Sequence, residues 1–432
     1  LKKNKMRQIA DLHIHSKYSR ACSRELNLEN IEKTCRIKGV DIIATGDFTF
    51  PDWFKSINEE LEEIEDTGLY KLKRKQDGKI KFLLSTELAL IYKKYDKVRR
   101  IHIMLHAPNL KAVKELNDYL DKRYNIRSDG RPILGMGAEE LTELCLKIDP
   151  GFLIYPAHIW TPWFAVFGSK SGFNSMEECF GDWTSHIYAY ETGLSSDPEM
   201  NWRLSALDKL TLLSSSDAHS LPNIAREANV FELNKVSYSE IYNVIKNKAT
   251  AFKPLPDRKS YLDYTIEFYP EEGMYHLDGH RNCGVCFSPE ETKKNKCICP
   301  KCKKDLVIGV MNRVQELADR PAGFKPEGTP GFKKIVELDK IVAEVFNVKS
   351  RNSKRVQAEY ANLIKKIGTE MKILLDEPLD NLKKMAQPLI VEGIKRAREG
   401  SVIIKPGFDG QYGSVKIFSD KEKQINKQQK LF

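Results

Sequence analysis

Asp11-Leu12-His13-Ile14-His15 follows Arg7-Gln8-Ile9-Ala10 and precedes Ser16. The run reads as the end of a short buried strand. Side chains alternate along a strand, so Asp11, His13 and His15 share one face and Leu12 and Ile14 the other. Two imidazoles one strand-step apart can converge on a metal ion or form a hydrogen-bonded core pair. Taken alone, the His-x-His leaves both open. The choice turns on whether other strand ends supply matching ligands.

Six further apolar runs read as buried strands, and each ends on a ligand-type residue. The run from Asp41 ends at Asp47, that from Lys81 at Glu87, and that from Arg100 at His106. Gly151 onward ends at His158, Ile187 onward at Glu191, and Leu210 onward at Asp217, with His219 two residues later. Helical patterns lie between them, over Leu28–Lys38, Ile57–Glu65, Lys111–Leu120 and Ala138–Ile148. Asp197-Pro198-Glu199 reads as N-cap, first-turn proline and acid, opening a helix through Leu204 and Leu207. Strand–helix alternation argues for a parallel α/β arrangement. Closed into a barrel, it brings the strand ends to one rim, where such folds build sites. Seven strand ends in phase are not explained by a satisfied core. Histidines with carboxylates favour zinc, manganese or iron, and shared carboxylates suit a multinuclear centre that orients a phosphate. His102, four strand residues or ~13 Å before His106, reads as core, and His186 as surface. Glu191 reads as a ligand, a partner behind the ligands or a substrate contact. Asp11 reads as the group holding an imidazole tautomer.

A length of 432 residues predicts two or three domains, and 41% hydrophobic residues allow a sizeable core. No run approaches the ~18 apolar residues of a membrane span, and no secretory signal core is visible; a cytoplasmic, nucleoid-associated location is expected. Formal charge is +10, and residues 331–432 hold 21 Lys or Arg against 13 Asp or Glu. That excess suits nucleic acid or an ordinary solvated surface. Four of the nine cysteines are scattered through the first 255 residues. The other five crowd between Cys283 and Cys302, which favours a metal knot over disulfides.

The motifs Asp-Leu-His-Ile-His-Ser, Thr45-Gly46-Asp47, Thr86-Glu87, His106, Pro156-Ala157-His158 and Ser216-Asp217-Ala218-His219 resemble, in this order over residues 8–232, the PHP (polymerase and histidinol phosphatase) superfamily. The resemblance implies a distorted (β/α)7 barrel whose multinuclear site hydrolyses phosphoesters. It carries His13, His15, Asp47, Glu87, His106, His158, Asp217 and His219 over as ligands for two or three Zn, Mg or Mn ions, with Asp217, His219 and Glu87 at the centre of catalysis. Gly46-Asp47-Phe48 departs from the Thr-Asp-His of many members, and Arg20 stands where an acid or histidine often sits.

A narrower resemblance is to endonuclease Q. It is carried by Ser16-Lys17-Tyr18-Ser19-Arg20-Ala21, Thr45-Gly46-Asp47-Phe48-Thr49, Trp160-Thr161-Pro162-Trp163-Phe164 and Glu191-Thr192-Gly193-Leu194-Ser195-Ser196-Asp197-Pro198. Phe50 stands where histidine is expected in that group. The similarity runs nearly to the end of the chain. It implies a PHP domain joined to a cysteine-rich metal domain, cutting DNA 5′ to deaminated bases (hypoxanthine, uracil, xanthine) or abasic sites.

The barrel pattern stops around Leu255-Pro256-Asp257. The expected organisation is a catalytic barrel over 1–255, a zinc-ribbon domain over 256–330, a mainly helical basic domain over 331–418 and a tail over 419–432. Cys283-x-x-Cys286 and Cys299-x-x-Cys302 form two knuckles with the spacing of one structural tetrahedral zinc; Cys297 is spare and His280 an alternative ligand. Helical patterns follow over 332–346, 353–374 and 379–397. Pro406-Gly407-Phe408-Asp409-Gly410 resembles a family hairpin and serves lesion recognition or a plain turn. Gln428-Gln429-Lys430-Leu431-Phe432 resembles the peptide that binds bacterial sliding clamps through Gln428, Leu431 and Phe432. Trp160, Trp163 and Phe164 line a lesion pocket, wedge the duplex or belong to the core. Lys17, Lys170, Arg226 and Arg313 are candidate phosphate contacts, with helix capping the alternative for Arg313 and Arg320. Small-molecule phosphoesterase and non-catalytic DNA-binding scaffold are the competing readings.

Overall fold

Gln8 to Asp11 are buried on both faces, as a central strand requires. In the computed structural model, which describes residues 5–247, 260–419 and 421–422, Met6–Asp11 runs parallel to Ile42–Ala44, which runs parallel to Lys81–Leu83. The circuit continues through Ser85–Lys94, Lys97–His106, Leu153–Pro156, Ala189–Glu191 and Thr211–Leu213. It closes where Ile14 bridges Ala218 and the His15 N–H donates to the Ala218 carbonyl at 3.1 Å. The Asn229 side chain bonds both the N–H and the C=O of Ser214 and fills the remaining gap. This is the expected distorted α/β barrel.

The distortion decides the site. The sequence pattern makes Arg100–Leu105 one more parallel strand, ending at the rim. Instead Lys97–His106 turns back antiparallel on Ser85–Lys94, through Tyr95 and Asp96, both at positive φ. Ala89 faces His102 and Ser85 faces His106. The strand therefore descends from the rim, and His102 lies nearer the mouth than His106.

Helices Leu28–Lys38, Leu110–Asp121 and Ala138–Ile148 form where the apolar spacing places them; Asn27 and Asn109 cap the first two. The 57–65 pattern belongs to Pro51–Glu60, because Leu61–Glu63 becomes a strand against Tyr70–Leu72. Asp197 caps the Met200 N–H, but that helix stops at Asn201. Tertiary bonds replace its continuation: the Ser205 N–H goes to Asp319 and the Arg203 guanidinium to Gln315.

Strands from the second half extend the barrel's own sheet. Tyr261–Glu267 pairs antiparallel with Ala228–Leu233, and Gly331–Lys334 pairs with Tyr261–Glu267. Strand pairing thus claims Phe332–Lys334, and the helix expected there begins at Leu338. The 353–374 pattern forms Lys354–Ile367, ends at Gly368 and resumes as a wider turn over Lys372–Asp376. Pro388 divides the last pattern into Leu379–Met385 and Pro388–Glu399. Among the described residues no helix is long and apolar enough to cross a membrane. The Leu255-Pro256-Asp257 boundary and the peptide holding Gln428, Leu431 and Phe432 lie outside the described residues.

Where the two halves share this sheet, Glu267 is fully buried and accepts from Thr265 Oγ1 at 2.5 Å and Ser214 Oγ at 3.1 Å. Burial pushes its carboxyl up to about 8, and burial together with Glu267 raises that of Glu227. A carboxyl raised on folding stabilises the fold fully below its unfolded value and loses that contribution as pH climbs through the folded value. Stability from Glu267 is therefore expected to fall between about pH 4.5 and about pH 8. Urea unfolding at either end of that window tests it. Glu267→Gln should flatten the decline, a tenfold change in proton affinity being worth ~1.4 kcal/mol; an unchanged slope would contradict the assignment.

Candidate functional site

His13 and His15 follow the opening strand, which ends at Asp11, flank the Ile14 bridge, and are both fully buried. His15 Nε2 lies 3.0 Å from Asp217 Oδ1 and 3.3 Å from Glu87 Oε2. His13 Nε2 lies 3.6 Å from the same two oxygens and has no hydrogen-bond partner. Ligands bonded to one ion at ~2.1 Å, across right to tetrahedral angles, stand ~3.0–3.4 Å apart. The separations and the orphaned His13 nitrogen fit a cation shared by His13, His15, Glu87 and Asp217, whose donor atoms all lie within 4.8 Å of one another. Burial lowers the proton affinity of both imidazoles, but the surrounding carboxylates, Glu191 and Glu87 for His13 and Asp47 for His15, outweigh it and hold them protonated well above the ordinary range. The same negative field would hold a divalent ion.

A second donor group shares Glu87. Its Oε1 lies 2.7 Å from His102 Nδ1 and 3.0 Å from His158 Nε2, and those nitrogens are 3.1 Å apart. Burial pushes His102 down to about 4, so this imidazole is neutral, the form that binds metals. His102 is thus a donor rather than a core histidine. His106, expected as a ligand, lies outside both groups: its Nε2 bonds the Tyr155 hydroxyl at 2.8 Å, and burial pushes it down to about 3. The antiparallel return is the reason, because it exchanges which histidine lies near the mouth.

Three further expectations change. Asp47 stands behind the ligands: Oδ1 meets His15 Nδ1 at 3.0 Å, and Oδ2 accepts from the Ser16 N–H, Ser16 Oγ and Ser19 Oγ. Glu191 does the same for His13 Nδ1 at 3.0 Å and accepts the His158 N–H. Asp11 holds no imidazole through its side chain; it accepts from Ser216 and the Ala225 N–H and ties the Asp217 loop to the first strand. His219 joins neither group. Its Nδ1 bonds the Asp217 carbonyl at 2.8 Å, and its ring sits 4.6 Å from that of His15. Asp47, His158 and Asp217 all take positive φ, 48°, 28° and 46°, a strained backbone that aims each side chain inward from a strand end. Gly46 is required beside them, since a Cβ there would strike the Ile14 carbonyl.

The aromatic residues after His158 divide. Trp160 is core, its Nε1 bonded to Asn201 Oδ1 at 2.8 Å. Phe164 packs against His102 at 4.6 Å between ring centres. Trp163 is 40% exposed and meets Tyr275 edge-on at 5.5 Å. Thr161 Oγ1 links His158 Nδ1 to the Trp163 carbonyl, so the loop that carries this exposed indole is tied to the second donor group. Lys170 is exposed. Arg226 bonds the Ser216 and Asp217 carbonyls and braces the ligand loop. Arg313 is buried, joining the Phe167 and Phe173 carbonyls and Asn174 to its own helix, and Arg320 pairs with Asp208; both fasten the second half to the barrel. Arg131, which nothing in the sequence pattern marks, places its Nη1 2.9 Å from Glu87 Oε2.

In the ribbon, His280, Cys283, Cys299 and Cys302 converge within 4.8 Å, with His280 Nδ1 3.4 Å from Cys302 Sγ. Cys286 is left out. Val285 faces the small core of Cys299 and Leu306, so alternation turns Cys286 to the other side of Val285–Phe287. Against burial, the Cys302 and Lys301 N–H groups pull the Cys299 thiol down to about 6, which favours the thiolate a zinc ion needs. His280→Ala is expected to remove one equivalent of zinc by atomic emission, and Cys286→Ala to keep it; the reverse would restore the four-cysteine site.

Residues 337–401 match the family model of the MJ0043 C-terminal domain. Uncharacterized protein MJ0043 of Methanocaldococcus jannaschii is 31% identical over 258 residues, 59% of this chain, and the match spans only 31% of that longer protein. The crystal structure of the lesion-specific endonuclease PfuEndoQ from Pyrococcus furiosus superposes with a TM-score of 0.82 at 29% identity, over 98% of this chain and 99% of that one. Endonuclease Q in complex with a 27-mer duplex carrying an abasic lesion at the active site gives a TM-score of 0.81 at 30% identity, over 96% of this chain and 98% of that one. A likeness that runs through barrel, ribbon and helical region, at this identity and coverage, places the chain in the endonuclease Q family of DNA-cleaving hydrolases.

Proposed function

We propose that this chain is a metal-dependent DNA repair endonuclease, nucleoid-associated in the cytoplasm, that nicks DNA 5′ to deaminated bases (hypoxanthine, uracil, xanthine) or abasic sites. The observation that carries the reading is the Glu87 carboxylate, shared between two metal-donor groups, in a chain that matches endonuclease Q throughout its length. His13, His15, Glu87 and Asp217 would hold one divalent ion and Glu87, His102 and His158 another. Such ions supply Lewis-acid charge at the phosphate and lower the pKa of water. The chain's own part is positional. Glu191 and Asp47 fix the tautomers of His13 and His15 through Nδ1, leaving Nε2 for the site. His219 donates Nδ1–H to the Asp217 carbonyl, so its Nε2 carries the lone pair that accepts a proton from the attacking water.

A deaminated base would leave the stack to be read, at less cost where it is mismatched, and an abasic site has no base to unstack. Trp163 is the exposed ring on the His158 loop, and Tyr275 supports its edge. It offers a stacking face for an extrahelical base or for the neighbour of an abasic gap. Gln428, Leu431 and Phe432 are assigned to a sliding-clamp contact by their sequence alone.

With magnesium or manganese the protein is expected to nick duplexes holding one hypoxanthine or one abasic site, and chelator should stop it. Asp217→Ala should abolish nicking with DNA binding retained. Trp163→Ala should weaken binding of the lesion duplex by ~1–3 kcal/mol. Turnover confined to a small phosphomonoester would favour the phosphoesterase reading, and binding without cutting the scaffold.

A further inference from the structure

We infer that Arg131 is a phosphate-contacting catalytic residue, its guanidinium aimed at the non-bridging oxygens of the scissile phosphodiester; this rests on the endonuclease reading of the same site. The placement follows from the chain. Ile133–Leu134 pairs parallel with Ala89–Leu90, and the Ala89 N–H donates to the Pro132 carbonyl at 3.1 Å. That register sets Arg131 beside Glu87. The loop before it is docked tightly. Asp129 Oδ1 accepts the Arg20 and Arg131 N–H groups, and the Gly130 N–H donates to the Tyr18 carbonyl. A Cβ at Gly130 would collide with Asp47 and Ser19, so only glycine lets the loop approach the ligand shell this closely.

Arg131 differs from Arg313 in how its donors are engaged. Arg313 uses Nε, Nη1 and Nη2 on four acceptors and is fully employed in packing. Arg131 makes one side-chain contact among the described residues, Nη1 to Glu87 Oε2, although a guanidinium carries five N–H donors. Its side chain is 25% exposed at the mouth while Glu87 is fully buried. Its charge is felt by Asp217 of the first donor group, by His102 of the second and by His219. A cation with spare forked donors beside the carboxylate that two metal-donor groups share meets a phosphate's geometry bidentately. It would neutralise the charge that grows on the non-bridging oxygens in the transition state.

The test uses the full-length metal-loaded protein and an abasic duplex, with either a phosphodiester or an uncharged methylphosphonate at the linkage 5′ to the lesion. Arg131→Ala is expected to slow single-turnover nicking by about 100-fold or more, as loss of one transition-state donor does, with metal content by atomic emission unchanged. Arg131→Lys should recover only part, because a point charge replaces a fork. In chelator, wild type should bind the phosphodiester duplex more tightly than the methylphosphonate one, and Arg131→Ala should bind the two alike. Nicking by Arg131→Ala within a few-fold of wild type, a retained phosphodiester preference, or loss of metal with loss of activity would each overturn the assignment. The last would make Arg131 a brace for Glu87. If wild type nicks no lesion duplex, the endonuclease reading fails, and the chelator arm still decides whether Arg131 meets phosphate.

Discussion

The Glu87 carboxylate is completely buried and meets His13, His15, His102, His158 and Arg131 within 3.6 Å. Burial alone would raise its pKa; the hydrogen bond from His102 and the charges of Arg131 and His13 instead hold it well below the ordinary carboxylate range. An acid held charged in a closed interior is costly unless cations surround it. The barrel is arranged to supply them. The first motif brings His13 and His15, the strained strand end brings His158, and the segment paired with Ala89 brings Arg131. Behind that layer, Asp47 and Glu191 orient the imidazoles, while Asp11 and Arg226 hold the Asp217 loop.

Much of this was legible in the chain. Alternation along Asp11-Leu12-His13-Ile14-His15 put both imidazoles on one face, and apolar runs ending in polar residues marked the other strand ends. What was illegible was strand direction. Periodicity says which residues share a face but not whether the strand climbs toward the rim or descends from it. The run 100–106 therefore pointed to His106 where the fold sets His102 beside Glu87 and His158. Cys286 failed for a related reason: Cys-x-x-Cys spacing fits a knuckle, but pairing within the hairpin turned this thiol away and brought His280 in. Arg131 carried no local signal because its role comes from a short parallel bridge to Ala89 that sequence spacing does not reveal.

The second half is bound to the first by more than a linker. Two of its strands extend the barrel sheet, and Arg313 and Arg320 reach across to barrel carbonyls and Asp208. Tyr275 from this half touches Trp163 from the His158 loop. The proposed cutting centre and the surface proposed to read the lesion are thus joined through packed residues of both halves.

On the proposed reading, Glu87 joins two metal sites and His102, not His106, completes the second. Anomalous scattering from crystals grown with manganese tests it most directly. One peak is expected among His13, His15, Glu87 and Asp217 and a second among Glu87, His102 and His158. A peak liganded by His106, or an ion pair that Glu87 does not bridge, would contradict it.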